Sequence, residues 1–437
     1  MISPESTSKK TAKLNPIFLI GILFFIFGFI TWLNSVLIPY LKLACELNNL
    51  EAYLVAFCFY IAYFLMATPS AYILNITGYK KGMAAGLVVI AVGALLFIPA
   101  ALTRQYSLFL FGLFVQGTGL ALLQTASNPY ITILGPPESA AKRISIMGIC
   151  NKLAGAIAPI VLGAVALKDA DGLKERLDIM SIDEKVIQLN ELASRVIMPY
   201  IIIVIVLIIL AGFIYYSSLP EIDSDKKDDA DLVEAPSVTN KTSVFQFPHL
   251  LLGAFTLFLY VGAEVIAGDT VINYGAAQGI ALTYAKFFTT CTLVCMIAGY
   301  LIGIVCIPKY FTQETAMKGS GILGIILSIL ALVTSSFTSV LMIALLGLAN
   351  ALVWPAIWPM ALAGLGKFTK TGASMLVMGI SGGAVIPLVY GALSDSFSTQ
   401  YAYIILVPIY LCIWLYAVKG HKIGLPQNLK SNQLNKN

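Results

Sequence analysis

Charged residues and histidine are scarce in this 437-residue sequence. Asp, Glu, Lys and Arg make up 11% of the chain, less than half of the roughly 25% that is usual in soluble domains. Hydrophobic residues make up 59%, which is too apolar for an ordinary soluble enzyme. The net charge of +5 is too small to indicate a nucleic-acid partner. These deficits predict a polytopic membrane protein whose main partner is the lipid bilayer.

Residues that build metal and redox sites are also few. Two histidines, His249 and His421, cannot form a histidine-based metal centre. The seven cysteines follow no metal or redox spacing, and we interpret them as small apolar residues. No phosphate-binding loop, nucleophile elbow or metal-ligand cluster appears in the sequence. We therefore expect no enzymatic activity, no metal and no organic cofactor.

Long apolar runs dominate the rest of the sequence. A spanning helix needs about 20 mostly apolar residues, and twelve such runs lie between polar breaks. They predict an all-α membrane protein with twelve transmembrane helices. The runs cover about 16–40, 52–75, 82–103, 106–134, 141–167, 196–219, 248–270, 284–307, 317–336, 339–364, 369–393 and 398–419.

Basic residues predict the orientation of these helices, because cytoplasmic loops carry an excess of lysine and arginine. With the N-terminus inside, the short outer loops hold only Lys42 and Arg104. We therefore expect both termini to be cytoplasmic. The cytoplasmic side would hold Lys9, Lys10, Lys13, Lys80, Lys81, Lys142, Arg143, Lys309, Lys318, Lys367, Lys370, Lys419, Lys422, Lys430 and Lys436.

One acidic, polar segment divides the chain into two halves. It predicts a six-helix bundle over residues 1–219, a flexible cytoplasmic linker over 220–247 and a second six-helix bundle with a tail over 248–437. The pattern Gly-Ala-x-x-Pro-x-x-x-Gly-Ala that begins at Gly155 begins again at Gly383, 228 residues later. Because both copies enter the fifth helix of their half, they predict bundles related by a pseudo-two-fold axis around a midplane site.

Polar side chains inside apolar runs are costly, so they usually face a cavity or a partner. Amides with aromatic faces nearby suit a neutral polyhydroxyl ligand, because each hydroxyl needs a partner and an aromatic ring covers C–H surface. The amides also suit hydrogen bonds between packed helices, and the tryptophans suit packing against lipid. The candidate residues are Asn34, Gln124, Asn128, Asn151, Asn350, Trp354 and Trp358.

Glu264 lies in the middle of the seventh apolar run. An unpaired carboxylate at this depth would take up a proton, which serves a proton-coupled carrier, and a carboxylate can equally help to bind Na⁺. The alternative is a fixed ion pair with Lys152 or Lys286. Asp269, in the same run, is a second candidate for binding the cation.

Several motifs resemble the L-fucose permease and glucose/galactose transporter family of the major facilitator superfamily, over nearly the whole chain. They are Phe25-Ile26-Phe27-Gly28-Phe29 with Leu33-Asn34-Ser35-Val36-Leu37-Ile38-Pro39, Gln124-Thr125-Ala126-Ser127-Asn128-Pro129-Tyr130, Tyr260-Val261-Gly262-Ala263-Glu264 and Gly364-Leu365-Gly366-Lys367-Phe368-Thr369-Lys370. The superfamily's loop motif between helices two and three is degenerate, with Asn75 where an acidic residue is usual.

This resemblance implies cation-coupled uptake of a neutral monosaccharide, glucose or galactose first, by alternating access in a bacterial cytoplasmic membrane. By position, the amides Asn34, Gln124, Asn128 and Asn151 should face the sugar. Two departures matter: Ser35 replaces the family's usual aspartate, and Gln124 stands where the fucose permease has a glutamate. We therefore expect Glu264, and after it Asp269, to couple the ion, with Lys152 as an internal cation.

Other functions stay open on the sequence alone. The chain could be an uncoupled facilitator or an exporter of the same fold, or a carrier for N-acetylglucosamine or L-fucose. A membrane enzyme has no supporting motif, and a sugar-sensing role without transport stays open. A twelve-helix carrier can work as a monomer, and the coupling cation can be H⁺ or Na⁺.

Overall fold

The fold is given by a computed structural model, which describes residues 16–133, 140–168, 170, 172–217, 219, 242–307, 309–365 and 368–425. Within these residues every regular element is a helix. The spanning helices are α1 Pro16–Ala44, α2 (49–77), α3 (79–103), α4 Tyr106–Ile133, α5 Ala140–Ala166, α6 Ile197–Tyr216, α7 Pro248–Ala277, α8 Leu282–Cys306, α9 Gln313–Val333, α10 Ser336–Leu362, α11 Thr369–Gly379 with Gly382–Ser396, and α12 Leu406–Val418 after a 3₁₀ turn Tyr401–Ile405.

The separation of α2 from α3 depends on Gly78. In the described part of the chain, eleven helical stretches are long and apolar enough to cross a membrane, and one of them, Asn49–Thr103, has 55 residues. Gly78, inside this stretch, has a φ of 77°, a left-handed conformation that glycine adopts without the steric cost of a Cβ atom. The stretch therefore consists of two helices that meet at Gly78.

The packing against α4 shows that these two helices run in opposite directions. Gly117 and Gly119 are near neighbours on α4, and they pack against Phe59 of α2 and Ile90 of α3 respectively. Residues 59 and 90 therefore lie at the same height along α4, so the chain reverses between them. The described structure thus has the twelve predicted crossings.

Helix starts differ from the sequence prediction by a few residues. Helix α9 begins at Gln313 rather than at 317, and α10 begins at Ser336 rather than at 339. At the start of α9, the Thr312 side chain accepts a hydrogen bond from the backbone N–H of Thr315 at 3.2 Å. Because Thr312 caps the helix, the polar residues that follow it form the first helical turn. Hydropathy alone does not predict these residues to be helical. Most of the predicted linker 220–247 lies outside the described residues.

The two bundles repeat the same internal packing. Helix α1 packs on α5 in the first bundle, and α7 packs on α11 in the second. Each pair has a glycine where the backbones are closest: a Cβ atom on Gly28 would lie 1.8 Å from the Asn151 carbonyl oxygen, and one on Gly382 would lie 1.7 Å from the Phe258 carbonyl oxygen. Matching helices in the two halves therefore make matching close contacts.

Contacts between the bundles follow the same symmetry. Helix α2 packs on α11, α8 packs on α5, and α1 packs on α7. If each helix is replaced by its counterpart in the other half, the contact between α2 and α11 becomes the contact between α8 and α5, and the contact between α1 and α7 is unchanged. This is the arrangement expected of two bundles that are related by a pseudo-two-fold axis.

Helix α7 and three helices that pack against it, α1, α10 and α11, are interrupted along their length. Helix α1 is interrupted at Leu33, α10 at Leu352 and α11 between Gly379 and Gly382, and α7 contains a π-helical turn, Ile266–Thr270. In α10, Pro355 has no N–H to donate back along the helix, which accounts for the break. Irregular backbone at membrane depth is tolerated where it is covered by protein or lines a cavity, so these breaks mark the centre of the molecule.

Candidate functional site

An ion pair joins the two bundles at the centre of the molecule. The ammonium group of Lys152 on α5 contacts a carboxylate oxygen of Glu264 on α7, and each side chain is only 11% exposed. Lys152 also lies 4.8 Å from the ring centroid of Trp32 on α1. Of the two lysines considered as partners from the sequence, the structure therefore pairs Lys152 with Glu264. Lys286 lies near the Phe287 ring instead.

Tyrosines from four helices surround this pair. Tyr60, Tyr260, Tyr300 and Tyr410 are all buried and lie within electrostatic range of Glu264. Because these four side chains are buried, the ion pair lies in a region with little exposure to solvent. A low-dielectric setting of this kind makes the attraction between the ammonium and the carboxylate strong.

Trp32 fills the space between the bundles beside the ion pair. Its ring lies so close to Gly155 of α5 and Gly268 of α7 that Cβ atoms at these positions would come within 2.2 Å and 2.0 Å of ring atoms. Its indole N–H is buried and has no hydrogen-bond partner in the described residues. Trp32 therefore contacts both bundles at the level of the π-helical turn.

Asp269 lies in that π-helical turn and is fully buried. Neither of its carboxylate oxygens has a hydrogen-bond partner within the part of the chain that the structure describes. Lys152, Glu264 and Tyr60 lie within electrostatic range of it. A buried polar group without a partner requires an explanation, and π-helical turns are frequent at functional sites.

The predicted amides of the first bundle have different surroundings. The Gln124 side chain donates a hydrogen bond to the Tyr63 hydroxyl at 2.9 Å. The Asn151 amide lies 3.4 Å from the Phe24 carbonyl oxygen. Asn34 is buried, and both its amide atoms lack partners among the described residues. Asn128 belongs to α4, and its side chain lies outside the described part of the structure.

The predicted residues of the second bundle form an aromatic surface. The ring centroids of Trp354 and Trp358 lie 5.6 Å apart, and Trp354 lies 6.4 Å from Tyr260. Asn350 is fully buried and accepts a hydrogen bond from the Tyr410 hydroxyl at 2.9 Å. That bond favours the packing alternative for Asn350, although its amide nitrogen has no partner in the described structure.

Aromatic contacts link the amide side to the ion pair. Tyr63, which accepts the bond from Gln124, stacks on Tyr60 with ring centroids 6.2 Å apart. Tyr60 in turn lies within electrostatic range of Glu264 and packs against Gly383 of the other bundle. Sequence reasoning missed these two tyrosines. Their spacing of three residues on one face of α2 is the signal that could have found them.

A second polar contact joins the bundles at the predicted outer face. Asp395, at the end of α11, accepts hydrogen bonds from the backbone N–H groups of Asn49 at 3.2 Å and Leu50 at 2.8 Å. The Asn273 amide on α7 donates to the Tyr53 hydroxyl at 3.2 Å. We call this group, Asn49, Tyr53, Asn273 and Asp395, the outer seal.

The sequence is similar to a protein-family model and to named transporters over most of its length. The family model described as Major Facilitator Superfamily matches residues 20–381. A protein named glucose/galactose transporter from Brucella abortus is 35% identical over 408 residues, which cover 92% of this chain and 93% of the relative. An L-fucose-proton symporter from Escherichia coli is 30% identical over 396 residues, covering 90% of each chain.

A solved structure shows the same overall architecture. It is the crystal structure of a major facilitator superfamily transporter, FucP, in the outward conformation. The two chains superpose with a TM-score of 0.70 at 28% sequence identity, covering 93% of this chain and 98% of the other.

Proposed function

We propose that this chain, which belongs to the Major Facilitator Superfamily and within it to the family of the L-fucose permease and the glucose/galactose transporters, takes up a neutral monosaccharide together with a cation. Glucose or galactose is the proposed sugar, because the relative with 35% identity carries that name. The cycle is alternating access: the two bundles rock about the central site, which opens to one side of the membrane at a time.

The observation that carries this proposal is the buried ion pair between Lys152 and Glu264. This pair joins the two moving bundles at the point where the amides of the first bundle face the aromatic and carboxyl groups of the second. A buried pair is stable only while both partners stay together, since separating them leaves an uncompensated charge in a low dielectric. Rocking of the bundles changes this contact. A cation or a sugar that binds beside it can therefore favour one orientation of the bundles over the other.

The sugar-binding residues are proposed on chemical grounds. Gln124, Asn34, Asn128 and Asn151 offer amide donors and acceptors from the first bundle, and the pair Trp354 and Trp358 offers aromatic faces from the second. The unpartnered amide atoms of Asn34 support this assignment, because a buried amide needs a partner and sugar hydroxyls can supply it. Ser35 and Gln124 leave the sugar contacts of α1 and α4 uncharged.

The location and orientation of the protein belong to the same proposal. We place the chain in the cytoplasmic membrane with both termini inside, as the lysines predict. The outer seal then faces the cell exterior. Its hydrogen bonds between Asp395 and the start of α2 close that side, which supports a state in which the central site is shut off from outside.

The test is uptake of radiolabelled glucose into proteoliposomes that contain the purified protein. Three conditions are compared: an inward Na⁺ gradient, a pH gradient with the interior alkaline, and no gradient. We expect accumulation above equilibrium under one gradient only. Galactose, N-acetylglucosamine and L-fucose then compete against the label to rank the sugars. Failure of all four sugars to enter or to exchange would contradict the proposed function.

An uncoupled facilitator is the second candidate function. Ser35 favours it, because the resemblance leads us to expect an aspartate at that position. The same uptake experiment separates the two candidates. A facilitator equilibrates the label without accumulating it, whichever gradient is imposed.

A further inference from the structure

We propose that Asp269 is the proton-binding residue of the transport cycle, and that Glu264 is instead the permanent partner of Lys152. This inference rests on the proposed function, since it names the coupling ion and the group that carries it. It reverses the order that the sequence alone favoured, in which Glu264 came first.

The central cluster, which consists of Glu264, Asp269 and Lys152, has one more acidic group than basic groups. Two carboxyl groups, Glu264 and Asp269, share one buried region with one ammonium group, Lys152. The other neighbours named around Asp269, Tyr60 and Trp32, are neutral. With both carboxyl groups ionised the cluster carries an excess negative charge in a low dielectric, which is strongly unfavourable. One bound proton or one monovalent cation restores neutrality.

The position of the proton follows from the contacts of the two carboxyl groups. Glu264 contacts the ammonium group of Lys152 directly, so a negative charge on Glu264 has a positive partner. Asp269 is fully buried, and neither of its oxygens has a partner among the described residues. A carboxyl group in that environment is more stable in its neutral form. The proton therefore resides on Asp269 in this state.

The backbone around Asp269 argues for a proton rather than Na⁺. Carriers bind Na⁺ largely with backbone carbonyl oxygens that an irregular helix leaves available. Here the Gly268 carbonyl accepts a hydrogen bond from the Thr289 hydroxyl at 2.7 Å, and the Ile266 carbonyl accepts one from Thr270 at 2.7 Å. The Ala267 carbonyl lies 3.4 Å from the Thr292 hydroxyl. Three of the five carbonyl oxygens of the turn thus already face hydroxyl groups, whereas a proton needs only the carboxylate.

The contact between α1 and α7 explains why Asp269 is placed to bind the coupling proton. Trp32 on α1 packs against Gly268, next to Asp269. Ser35, three residues later, donates a hydrogen bond from its hydroxyl to the Trp32 carbonyl at 2.8 Å. Ser35 itself carries no charge, and the carboxyl group at this contact is that of Asp269, on the turn of α7 that packs against α1. In the cycle, the Asp269 carboxylate takes a proton from outer water and releases it to cytoplasmic water.

Infrared difference spectroscopy tests the site without requiring transport. A protonated carboxyl group in an apolar site has a C=O stretch band that an ionised carboxylate lacks. At neutral pH we expect Asp269→Asn to remove such a band from the wild-type spectrum. Lys152→Met should enlarge it, because both carboxyl groups then need protons. Asp183→Asn, at an exposed position on the short helix Ile182–Ser194, is the matched control and should change nothing.

Glu264→Gln is a second variant that serves if Lys152→Met fails to fold. It leaves one carboxyl group and one ammonium group, so Asp269 should ionise and the band should disappear. A band that survives in Asp269→Asn would overturn the proposal, even if sugar transport itself were established.

Transport measurements complete the test. We expect Asp269→Asn to lose accumulation driven by the pH gradient while it retains exchange of external label for sugar loaded inside, because exchange requires no net release of a proton. Accumulation by Asp269→Asn at the wild-type level, or wild-type accumulation driven by Na⁺ alone, would contradict the assignment. Wild-type protein that neither accumulates nor exchanges sugar would refute the proposed function instead, and the infrared result would still stand.

Discussion

The two bundles repeat each other in backbone packing but not in the chemistry that they present to the centre. The first bundle contributes amides, such as Gln124 and Asn151, and the ammonium group of Lys152. The second contributes the carboxyl groups of Glu264 and Asp269 with an aromatic surface around Trp354. A close backbone contact between the first and fifth helices, by contrast, occurs in both halves, through Gly28 of α1 in one and Gly382 of α11 in the other.

This difference separates two properties of the molecule. The repeated packing allows each half to move against the other in an equivalent way. We propose that the unequal side chains give the cycle its selectivity. In the proposal, one half recognises hydroxyl groups, and the other binds the proton and covers the apolar face of the sugar. The following predictions test this division, from the largest expected effect to the smallest.

The largest effect is expected at the ion pair between Lys152 and Glu264, which joins the two bundles. Lys152→Met leaves Glu264 buried without its ammonium partner, which should cost about 3–5 kcal/mol of stability and abolish sugar exchange. Thermal unfolding of the purified protein in detergent measures the first effect, and exchange in proteoliposomes measures the second.

The double variant Lys152→Met with Glu264→Gln is the control for that substitution. It removes both charges, and replacing a buried pair with neutral groups is often close to neutral in stability. We therefore expect the double variant to recover most of the lost stability while transport stays impaired. A single Lys152→Met protein that is as stable as wild type would show that the ion pair does not hold the bundles together.

Substitution of an amide side chain in the first bundle should weaken the affinity for sugar. Gln124→Ala removes a donor and an acceptor from the sugar, which should raise the half-saturation concentration about tenfold, since an unmade buried hydrogen bond costs about 1–3 kcal/mol. The matched control is Tyr63→Phe, which removes the hydroxyl that Gln124 contacts but keeps the amide in place. Equal effects of both substitutions would assign Gln124 to packing rather than to the sugar.

The aromatic side should respond more weakly. Trp354→Ala and Trp358→Ala each remove an aromatic face, which should weaken sugar binding by about 1 kcal/mol, or roughly fivefold. Trp354→Phe and Trp358→Phe retain a ring and should lose less. Tryptophan residues that only face lipid would give half-saturation concentrations equal to wild type in all four variants, and that result would remove them from the site.

The smallest effect is expected at the outer seal. Asp395→Asn removes a negative charge from the start of α2, where a helix N-terminus stabilises an anion by about 0.3–1 kcal/mol. Hydrogen–deuterium exchange of the peptide that contains Asn49 and Leu50 should therefore accelerate about two- to fivefold. Asp183→Asn is again the control. Unchanged exchange at Asn49 and Leu50 would mean that their bonds to Asp395 do not keep the outer side closed.

Much of the fold could be predicted from the sequence, because hydrophobic length is a local property. All twelve crossings, the all-α class and the superfamily are confirmed by the structure and its relatives. The turn between α2 and α3 was indicated by Lys80 and Lys81, but its position at Gly78 depends on a backbone angle. The start of α9 was missed because Thr312 caps a polar first turn.

The site was less accessible to sequence reasoning because its contacts join distant parts of the chain. The apolar surroundings of Glu264 show that it is buried, but its choice of Lys152 over Lys286 depends on how α5 meets α7 across the bundle interface. The π-helical turn that holds Asp269 has no clear local sequence signal. The spacing of Tyr60 and Tyr63 places both on one face of α2, but only the packing of the helices shows that this face meets the ion pair. The sugar-binding roles stay predictions.

The single lysine among two carboxyl groups also has an electrical consequence. When the proposed proton has left, the cluster carries a net negative charge, and when the proton is bound the cluster is neutral. A membrane potential that is negative inside therefore acts on the empty carrier, driving its charged centre back toward the exterior, and leaves the loaded carrier almost unaffected. For a full unit charge, 100 mV corresponds to about 2.3 kcal/mol, or roughly 50-fold in sugar concentration. Voltage would then speed the return half of each cycle, so that an energised membrane keeps the carrier facing its substrate.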